Sequence, residues 1–285
     1  MIKKIIPLFV IVLLFNACSS VPISGRKQLS LVSDKEILTA SLQQYGEYLK
    51  TAPISTDKNN TAMVVRVGQN LAKAILLYYQ SLNMESMLDG YAWEFNLVKD
   101  AQVNAFCMPG GKIVVYEGIL PYTQTETGLA VVLGHEVAHA IAKHANERMS
   151  QQVATQYGAA ALSGILGNSS SVVQTLGQTV YGLGSEYGVM LPFSRKHELE
   201  ADRLGLVFMA IAGYDPREAI PFWQRMATQG GSTPEFMSTH PSDDSRVTEI
   251  QKYLPEAMEY YQTVKAGNNT KSTISPGKTD PKWKF

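Results

Sequence analysis

The stretch that decides the fold is GLAVVLGHEVAHAIAKHANER, residues 128–148, an apolar run that carries two histidines four positions apart. Most of its other residues are apolar, and at 3.6 residues per turn they point to all sides of a helix. This pattern predicts a helix that is buried all round. Burying His135, Glu136 and His139 in such a helix is costly unless each polar side chain finds a partner. The rest of the sequence must therefore supply those partners.

A metal ion is the simplest partner for this helix. Histidines at positions i and i+4 lie on one helical face about one turn apart, so His135 and His139 can share one tetrahedral zinc ion. Glu136 is rotated by about 100° from His135, so it can act as a general base on a water at the metal. The alternative is that the histidines are ordinary hydrogen-bonded core residues, and their spacing favours zinc.

A catalytic zinc site requires a third protein ligand and an open position. The candidates lie in LPFSRKHELEADRLGLVFMA, residues 191–210. Glu198 and Asp202 share a helical face, which predicts Glu198 as a ligand and Asp202 as a support for a ligating histidine, whereas Glu200 points elsewhere. Two alternatives stay open: the acidic pair faces solvent between two arginines, or His197 is the ligand instead.

A further histidine, His240, lies in MSTHPSDDSRVTEI, residues 237–250. Pro241 stiffens the turn, and the polar residues after it predict the start of a helix in which Arg246 comes early. Judged from its residues alone, this stretch is an ordinary surface loop.

Two helices are predicted ahead of the apolar run. The first extends from about Leu29 to Tyr48, with Ser33 and Glu36 as a capped start. The second is a longer amphipathic helix, from Asn60 to Leu82, rich in Val, Leu and Ala. The fold class is therefore expected to be mainly α.

A small β-sheet is predicted between these helices and the apolar run. Trp93–Val98 is one strand, and a second strand follows the turn at Pro109–Gly111. The second strand is a candidate edge, to which an extended peptide can add through main-chain hydrogen bonds. Its substrate-binding candidates are Ile113, Val114, Val115 and Tyr116. A plain structural hairpin is the alternative.

The N-terminus has the pattern of an export signal. Lys3 and Lys4 precede the apolar stretch Ile5–Phe15, which is too short to span a bilayer comfortably, and Cys18 follows it closely. The pattern resembles a lipoprotein signal in which Cys18 is acylated; a secretory peptide with an incidental cysteine is the alternative. Since Cys107 is the other of the two cysteines, acylation leaves the exported domain without a disulfide.

The 285 residues divide on these grounds into a signal peptide (1–17), a lipidated linker (18–28), one zinc-binding domain (29–264) and a disordered polar tail (265–285). Lys+Arg and Asp+Glu are both 25, so the chain offers no electrostatic case for a nucleic-acid partner. Residues 149–185 carry no charge. They are predicted as packed helices; a mobile cover over the site or a membrane-leaning surface is the alternative.

Three motifs together, HEVAHAIAKH, FSRKHELEADRLG and STHPSDDSRV, resemble the membrane-associated zinc metallopeptidases that include the CAAX-prenyl endopeptidase, the HtpX protease and the periplasmic BepA- and LoiP-type proteases. NAFCMPGGKIVVYEGIL and VPISGRKQLSLVS resemble further segments of that family, so the resemblance spans about residues 21–261. It implies a gluzincin-like fold that binds one Zn²⁺. The chain is most similar to the short lipoprotein form of the family.

The resemblance also implies a role for each site residue. Zinc is held by His135, His139 and Glu198. Glu136 is the catalytic base, and Asp202 is the supporting acid. His240 matches a histidine that can approach the metal and hold the enzyme latent, and Arg246 matches an arginine near the active site.

The implied function is that of a zinc endopeptidase of the bacterial cell envelope. It is expected to be lipid-anchored, to face the periplasm, to lie in the outer membrane, and to cleave misfolded or unassembled envelope proteins. An envelope chaperone or assembly factor with a latent zinc site is the alternative. A purely structural zinc site is disfavoured because it has no use for Glu136.

Overall fold

Helices dominate the structure, a computed structural model that describes residues 18–21, 24–165, 194–228, 235–240 and 245–267. The strands in this part of the chain are β1 (Cys18–Ser20), β2 (Lys27–Leu29), β3 (Glu94–Val98), β4 (Ala105–Met108) and β5 (Lys112–Tyr116). The α-helices are α1 (Asp34–Thr51), α2 (Lys58–Ser81), α3 (Leu120–Thr123), α4 (Glu126–Ile141), α5 (His144–Ile165), α6 (Arg195–Ile211), α7 (Ala219–Thr228), α8 (Glu235–Thr239) and α9 (Ser245–Lys265). The predicted mainly helical α+β fold is confirmed.

The first two helices begin where their capping residues place them. The Ser33 hydroxyl accepts the Glu36 backbone N–H, and the Glu36 carboxylate accepts the Ser33 backbone N–H. This capping box starts α1 at Asp34, so the predicted capped start at Ser33 is confirmed and the predicted beginning near Leu29 is wrong. The second predicted helix is confirmed to within two residues at each end, with Asp57 as its N-cap.

The N-terminal segment is folded against the domain. Strands β1 and β2 pair antiparallel, with Cys18 opposite Leu29. Val21 is 1% exposed and belongs to the main hydrophobic core. In the described part of residues 18–28, which were predicted to be a linker, the backbone is paired and the Val21 side chain is buried.

Strand order corrects the prediction about the sheet. The three-stranded sheet has the order β3-β5-β4, with β5 parallel to β3 and antiparallel to β4. Strand β5 is therefore central, and the prediction that Ile113–Tyr116 forms an edge is wrong. Ile113, Val114 and Val115 are fully buried. Strand β4, which the sequence analysis did not predict, lies at the edge of this sheet.

A turn at the predicted position joins β4 to β5. Gly111 donates its backbone N–H to the Met108 carbonyl at 3.1 Å. Gly110 and Gly111 have φ values of 89° and 79°, in the region that only glycine adopts without strain. The hairpin brings β4 alongside the buried helix α4.

Helices α4 and α6 cross with their backbones in contact. A Cβ atom placed on Gly205 would lie 2.9 Å from both the Gly134 carbonyl carbon and the His135 nitrogen. Two glycines at the crossing point therefore allow the helices to approach more closely than any larger residue would. The crossing sets the polar residues of α6 beside His135.

Part of the uncharged segment belongs to α5, which ends at Ile165. Met149 and Val153 are buried in a hydrophobic cluster with residues of α1 and the sheet. Residues 166–185, the predicted signal peptide and the tail beyond residue 267 lie outside the described residues. Among the helices that are described, none combines the length and apolar character needed to cross a bilayer.

Candidate metal centre

Four buried side chains converge where α4 crosses α6. The potential ligand atoms of His135, His139, Glu198 and His240 all lie within 4.8 Å of one another. The first two come from α4, Glu198 comes from the first turn of α6, and His240 directly follows α8. The structure thus brings the three predicted zinc ligands together and adds His240 to them.

Distances within this cluster fit one zinc ion. The Nε2 atoms of His135 and His139 are 3.0 Å apart. His135 Nε2 lies 3.4 Å from one oxygen of Glu198, and His139 Nε2 lies 3.4 Å from the other. Tetrahedral zinc with bonds of about 2.0–2.2 Å separates neighbouring ligand atoms by about 3.3 Å.

Unsatisfied polar atoms support the same assignment. Glu198 Oε2 and Glu136 Oε1 are buried and accept no well-aligned hydrogen bond from the described residues, although Arg246 Nη1 lies 3.2 Å from Glu198 Oε2 and His240 Nε2 lies 3.3 Å from Glu136 Oε1. Such atoms are rare in native proteins because each costs the free energy of its lost hydration. A cation beside Glu198 removes that cost.

A carboxylate fixes the orientation of His135. Asp202 Oδ1 lies 2.9 Å from His135 Nδ1, and Arg246 donates two hydrogen bonds to the Asp202 carboxylate, at 2.7 and 2.8 Å. The guanidinium of Arg246 also stacks on Trp223, 3.4 Å from the ring centre. A proton on His135 Nδ1 that is donated to Asp202 leaves Nε2, which faces the cluster, as the nitrogen that can bind a metal.

The charges of the cluster favour a cation. Burial lowers the pKa of His135, but its hydrogen bonds to Asp202 and Glu198 raise that pKa to about 9, so a metal ion has to displace a proton from this ring at neutral pH. Burial opposes ionisation of Glu198, yet the charges of His240 and His135 hold its pKa well below the usual range. Burial keeps the pKa of His139 well below its usual range, so this ring is neutral. A neutral imidazole and an ionised carboxylate are the forms that bind metal.

Glu136 lies beside the cluster without joining it. Burial raises the pKa of its carboxyl group. A cavity of about 20 Å³ adjoins it, lined in part by Phe106 and Cys107 of β4 and by His139. This volume holds about one water molecule. A carboxylate with a raised pKa beside a water-sized cavity is suited to be a general base.

His240 is buried, which corrects the interpretation of its stretch as a surface loop. Its Nδ1 lies 3.2 Å from both His135 Nε2 and Glu198 Oε1, and its Nε2 lies 3.3 Å from Glu136 Oε1. The ring stacks on Phe236 with a centroid distance of 4.6 Å. His240 therefore takes the fourth place around the cluster. Residues 241–244 lie outside the described part of the chain.

The two alternatives for the third ligand are not supported. Glu198 and Asp202 are 2% and 4% exposed, so the pair does not face solvent. His197 turns away from the cluster, and its Nε2 lies 2.9 Å from a carboxylate oxygen of Glu147. Glu198 is the residue of this helix whose carboxylate reaches both His135 and His139.

Sequence reasoning missed His144, whose Nδ1 lies 2.8 Å from His139 Nδ1. Five residues along a continuous helix turn a side chain by about 140° from its starting direction, so the two rings were not expected to meet. Helix α4 instead ends at Ile141, and Lys143 takes a φ of 58° before α5 begins at His144. This break returns His144 to the side of His139.

A larger cavity, of about 210 Å³, lies next to the small one. It opens between α1, the turn at Ser86–Tyr91 and the β4–β5 hairpin, and Ile37, Leu38 and Met87 contribute apolar walls. The residues that line both cavities are Pro109, Ala140, Lys143 and Asn146. The larger cavity therefore adjoins the space beside Glu136.

A buried HExxH helix, a carboxylate ligand from a second helix and an adjacent glutamate define the class of HExxH metallopeptidases. The chain belongs to peptidase family M48, whose sequence profile matches residues 61–254. The family predicted from the motifs is confirmed.

Named relatives agree with this class. The mitochondrial metalloendopeptidase OMA1 of Saccharomyces cerevisiae is 31% identical over 88% of this chain and 75% of its own length. OMA1 of Schizosaccharomyces pombe is 41% identical over 60% of this chain, and that match spans about half (49%) of the relative. The beta-barrel assembly-enhancing protease of Yersinia pestis is 32% identical over 56% of this chain and 34% of its own length.

These relatives correct the predicted location. The prediction of a lipoprotein in the bacterial outer membrane is wrong, because the relatives that match most of this chain are named as mitochondrial enzymes. Acylation of Cys18 and removal of residues 1–17 stay predictions, since residues 1–17 and the Cys18 side chain lie outside the description.

Proposed function

We propose that the chain is a zinc-dependent endopeptidase with one Zn²⁺ held by His135, His139 and Glu198. The convergence of these donors beside Glu136 carries the proposal. Bound zinc supplies a lowered pKa for an attacking water and polarisation of the scissile carbonyl. Glu136 takes the proton of that water and delivers it to the leaving amine. Asp202, clamped by Arg246, keeps His135 in its ligating tautomer.

The substrate is proposed to be an extended polypeptide along the edge of β4. Phe106 and Cys107 of this strand line the small cavity with Glu136, so a chain at that edge passes the catalytic base. Main-chain hydrogen bonds to an edge strand suit any extended sequence. The larger cavity beside Leu38 and Met87 takes one apolar substrate side chain. This edge replaces Ile113–Tyr116 of the central strand β5 as the candidate substrate site.

Misfolded or unassembled proteins are the proposed substrate class, because only an unfolded segment can lie extended along β4. One polypeptide offered both natively folded and permanently unfolded, by reduction and alkylation of its disulfides, tests this. Cleavage is expected at least tenfold faster for the unfolded form, which corresponds to about 1.4 kcal/mol in transition-state free energy. Equal rates, followed by gel electrophoresis, would contradict the proposed substrate class.

His240 is proposed to hold the site latent, because its ring stands where a substrate carbonyl has to approach the cluster. His240→Ala is expected to raise the rate of peptide hydrolysis by up to about tenfold, if closed molecules outnumber open ones by about ten to one. The measurement is initial rate on a quenched fluorescent peptide. Ser238→Ala, in the same short helix and exposed, is the matched control.

A decrease in the hydrolysis rate of His240→Ala would assign a different role to His240. A lower kcat with unchanged KM in His240→Ala would show that the histidine assists the reaction, and latency would be wrong. Equal rates for both variants and the unaltered chain would exclude either role.

A chaperone or assembly factor with a latent zinc site is the second candidate. The single observation that favours it is the fourth donor position taken by His240. Glu136 separates the two candidates, because holding an unfolded client requires no general base.

A further inference from the structure

A second buried polar network lies on the far side of His139 from the ligand cluster. His144 Nε2 lies 2.8 Å from Glu200 Oε2, and Arg26 Nε donates to that same oxygen at 2.7 Å. The Ser24 hydroxyl donates to Glu200 Oε1. Glu200 and His144 are both fully buried (0% exposed). The network therefore extends from the N-terminal segment to a candidate zinc ligand.

The tautomers along this network are determined by its end points. His139 directs Nε2 at the cluster, so its proton is on Nδ1 and is donated to His144 Nδ1. His144 then accepts at Nδ1 and carries its own proton on Nε2, which it donates to Glu200. Each nitrogen has one role, so the chain of hydrogen bonds is complete from His139 to the carboxylate.

Each of the two proposed ligands from α4 is thus connected by hydrogen bonds to a carboxylate, and an arginine binds that carboxylate. For His135 the carboxylate is Asp202 and the arginine is Arg246. For His139 the carboxylate is Glu200, reached through the His144 ring, and the arginine is Arg26. The first arginine comes from α9 and the second from the turn between β1 and β2. A buried ion pair that served stability alone would not need an imidazole directed at His139 Nδ1.

The arginine is itself held in place. Arg26 Nη2 donates to Glu147 Oε2 at 2.7 Å, and His197 Nε2 lies 2.9 Å from that same oxygen. His197 and His144 stack with a centroid distance of 4.4 Å. The His144 ring is therefore held in place by hydrogen bonds at its nitrogens and by stacking on His197.

We propose that His144, Glu200 and Arg26 are positioning residues for His139, so that the N-terminal segment forms part of the metal centre. The proposal rests on the proposed function only in taking His139 as a zinc ligand. Partners of this kind around a ligating histidine typically change metal affinity by about 10–100-fold when they are removed.

The test measures metal binding by the full chain, without reference to hydrolysis. Competition with a chromophoric chelator gives the Kd for Zn²⁺, and the visible spectrum of the Co²⁺-loaded chain reports the geometry of the ligands. His144→Phe keeps a planar aromatic ring and removes both nitrogens, and Arg26→Met removes the guanidinium that binds Glu200. Each is expected to weaken Zn²⁺ binding by about 10–100-fold and to alter the Co²⁺ spectrum. His144→Asn keeps an acceptor near Nδ1 and is expected to recover part of the affinity.

Controls separate positioning from plain stabilisation. Arg225→Met breaks a partly buried ion pair with Glu218 that does not touch the network, and it is expected to leave both readouts unchanged. If the two network variants lower the unfolding temperature while the Kd and the Co²⁺ spectrum stay as in the unaltered chain, the proposal is wrong. If Arg26→Met does not fold, Ser24→Ala removes a single hydrogen bond to Glu200 and is measured in the same way.

Failure of the proposed function would give a different result in the same metal-binding measurements. An unaltered chain that binds no Zn²⁺ contradicts the zinc site itself. An unaltered chain that binds Zn²⁺ tightly, with equal affinity in the network variants, contradicts only the positioning role.

Discussion

Replacing Glu136 with glutamine is expected to lower kcat for peptide hydrolysis by about 10²–10⁴-fold, the usual contribution of a general base. The amide keeps the size of the side chain and cannot take a proton from water. Zn²⁺ binding should stay within a few-fold, because Glu136 lies beside the donor cluster and is not one of its four members. The measurements are hydrolysis of an unfolded polypeptide and the Kd for Zn²⁺.

A second glutamate of the same helix is the matched control. Glu126 lies in the first turn of α4 and pairs with Arg66 at the surface, so Glu126→Gln should hydrolyse at the normal rate. A Glu136→Gln protein that cleaves as fast as the unaltered chain would contradict the proposed mechanism. If neither the Glu136→Gln protein nor the unaltered chain cleaves, and both prevent aggregation of an unfolded client equally, a chaperone function explains the results better.

Removing the metal is expected to produce the second large effect, on stability. Zinc that binds only the folded chain adds about 4 kcal/mol to the free energy of unfolding when its free concentration is a thousand times Kd. A chelator should therefore lower the urea midpoint of the unaltered chain and stop hydrolysis. In Glu198→Ala the three-ligand site is incomplete, so zinc and chelator should give nearly the same midpoint.

Glu126→Gln again serves as the control, since it retains every donor and should respond to zinc like the unaltered chain. A zinc-dependent midpoint that survives in Glu198→Ala would show that Glu198 is not a ligand. A midpoint that is independent of zinc in the unaltered chain would contradict the metal site as a whole.

Local sequence patterns predicted the parts of the site that depend on local geometry. His135 and His139 meet because residues four apart share a helical face, and Glu198 and Asp202 share a face of α6 for the same reason. The capping box at Ser33 and the turn at Pro109–Gly111 likewise depend on a few neighbouring residues.

Features that depend on distant residues could not be predicted in this way. The edge of the sheet is determined by the pairing of β5 with β3, and no local pattern in Ile113–Tyr116 distinguishes a central strand from an edge. His240 was predicted to be exposed because the side chains it faces, His135 and Glu198, are distant in the sequence. The contact of His144 with His139 depends on one left-handed residue, Lys143, at which the helix is interrupted although the sequence pattern is continuous there.

The order in which the chain is synthesised bears on when this site can assemble. Arg26 and Glu200 are separated by 174 residues, and His135 and Arg246 by 111. Contacts of such long range form only after the intervening chain has been made and has folded back. On a ribosome, therefore, the HExxH helix emerges long before Glu198, His240 and Arg246. A nascent chain can bring the three proposed zinc ligands together only after Glu198 has emerged, and Asp202 gains its hydrogen bonds from Arg246 only when the start of α9 follows.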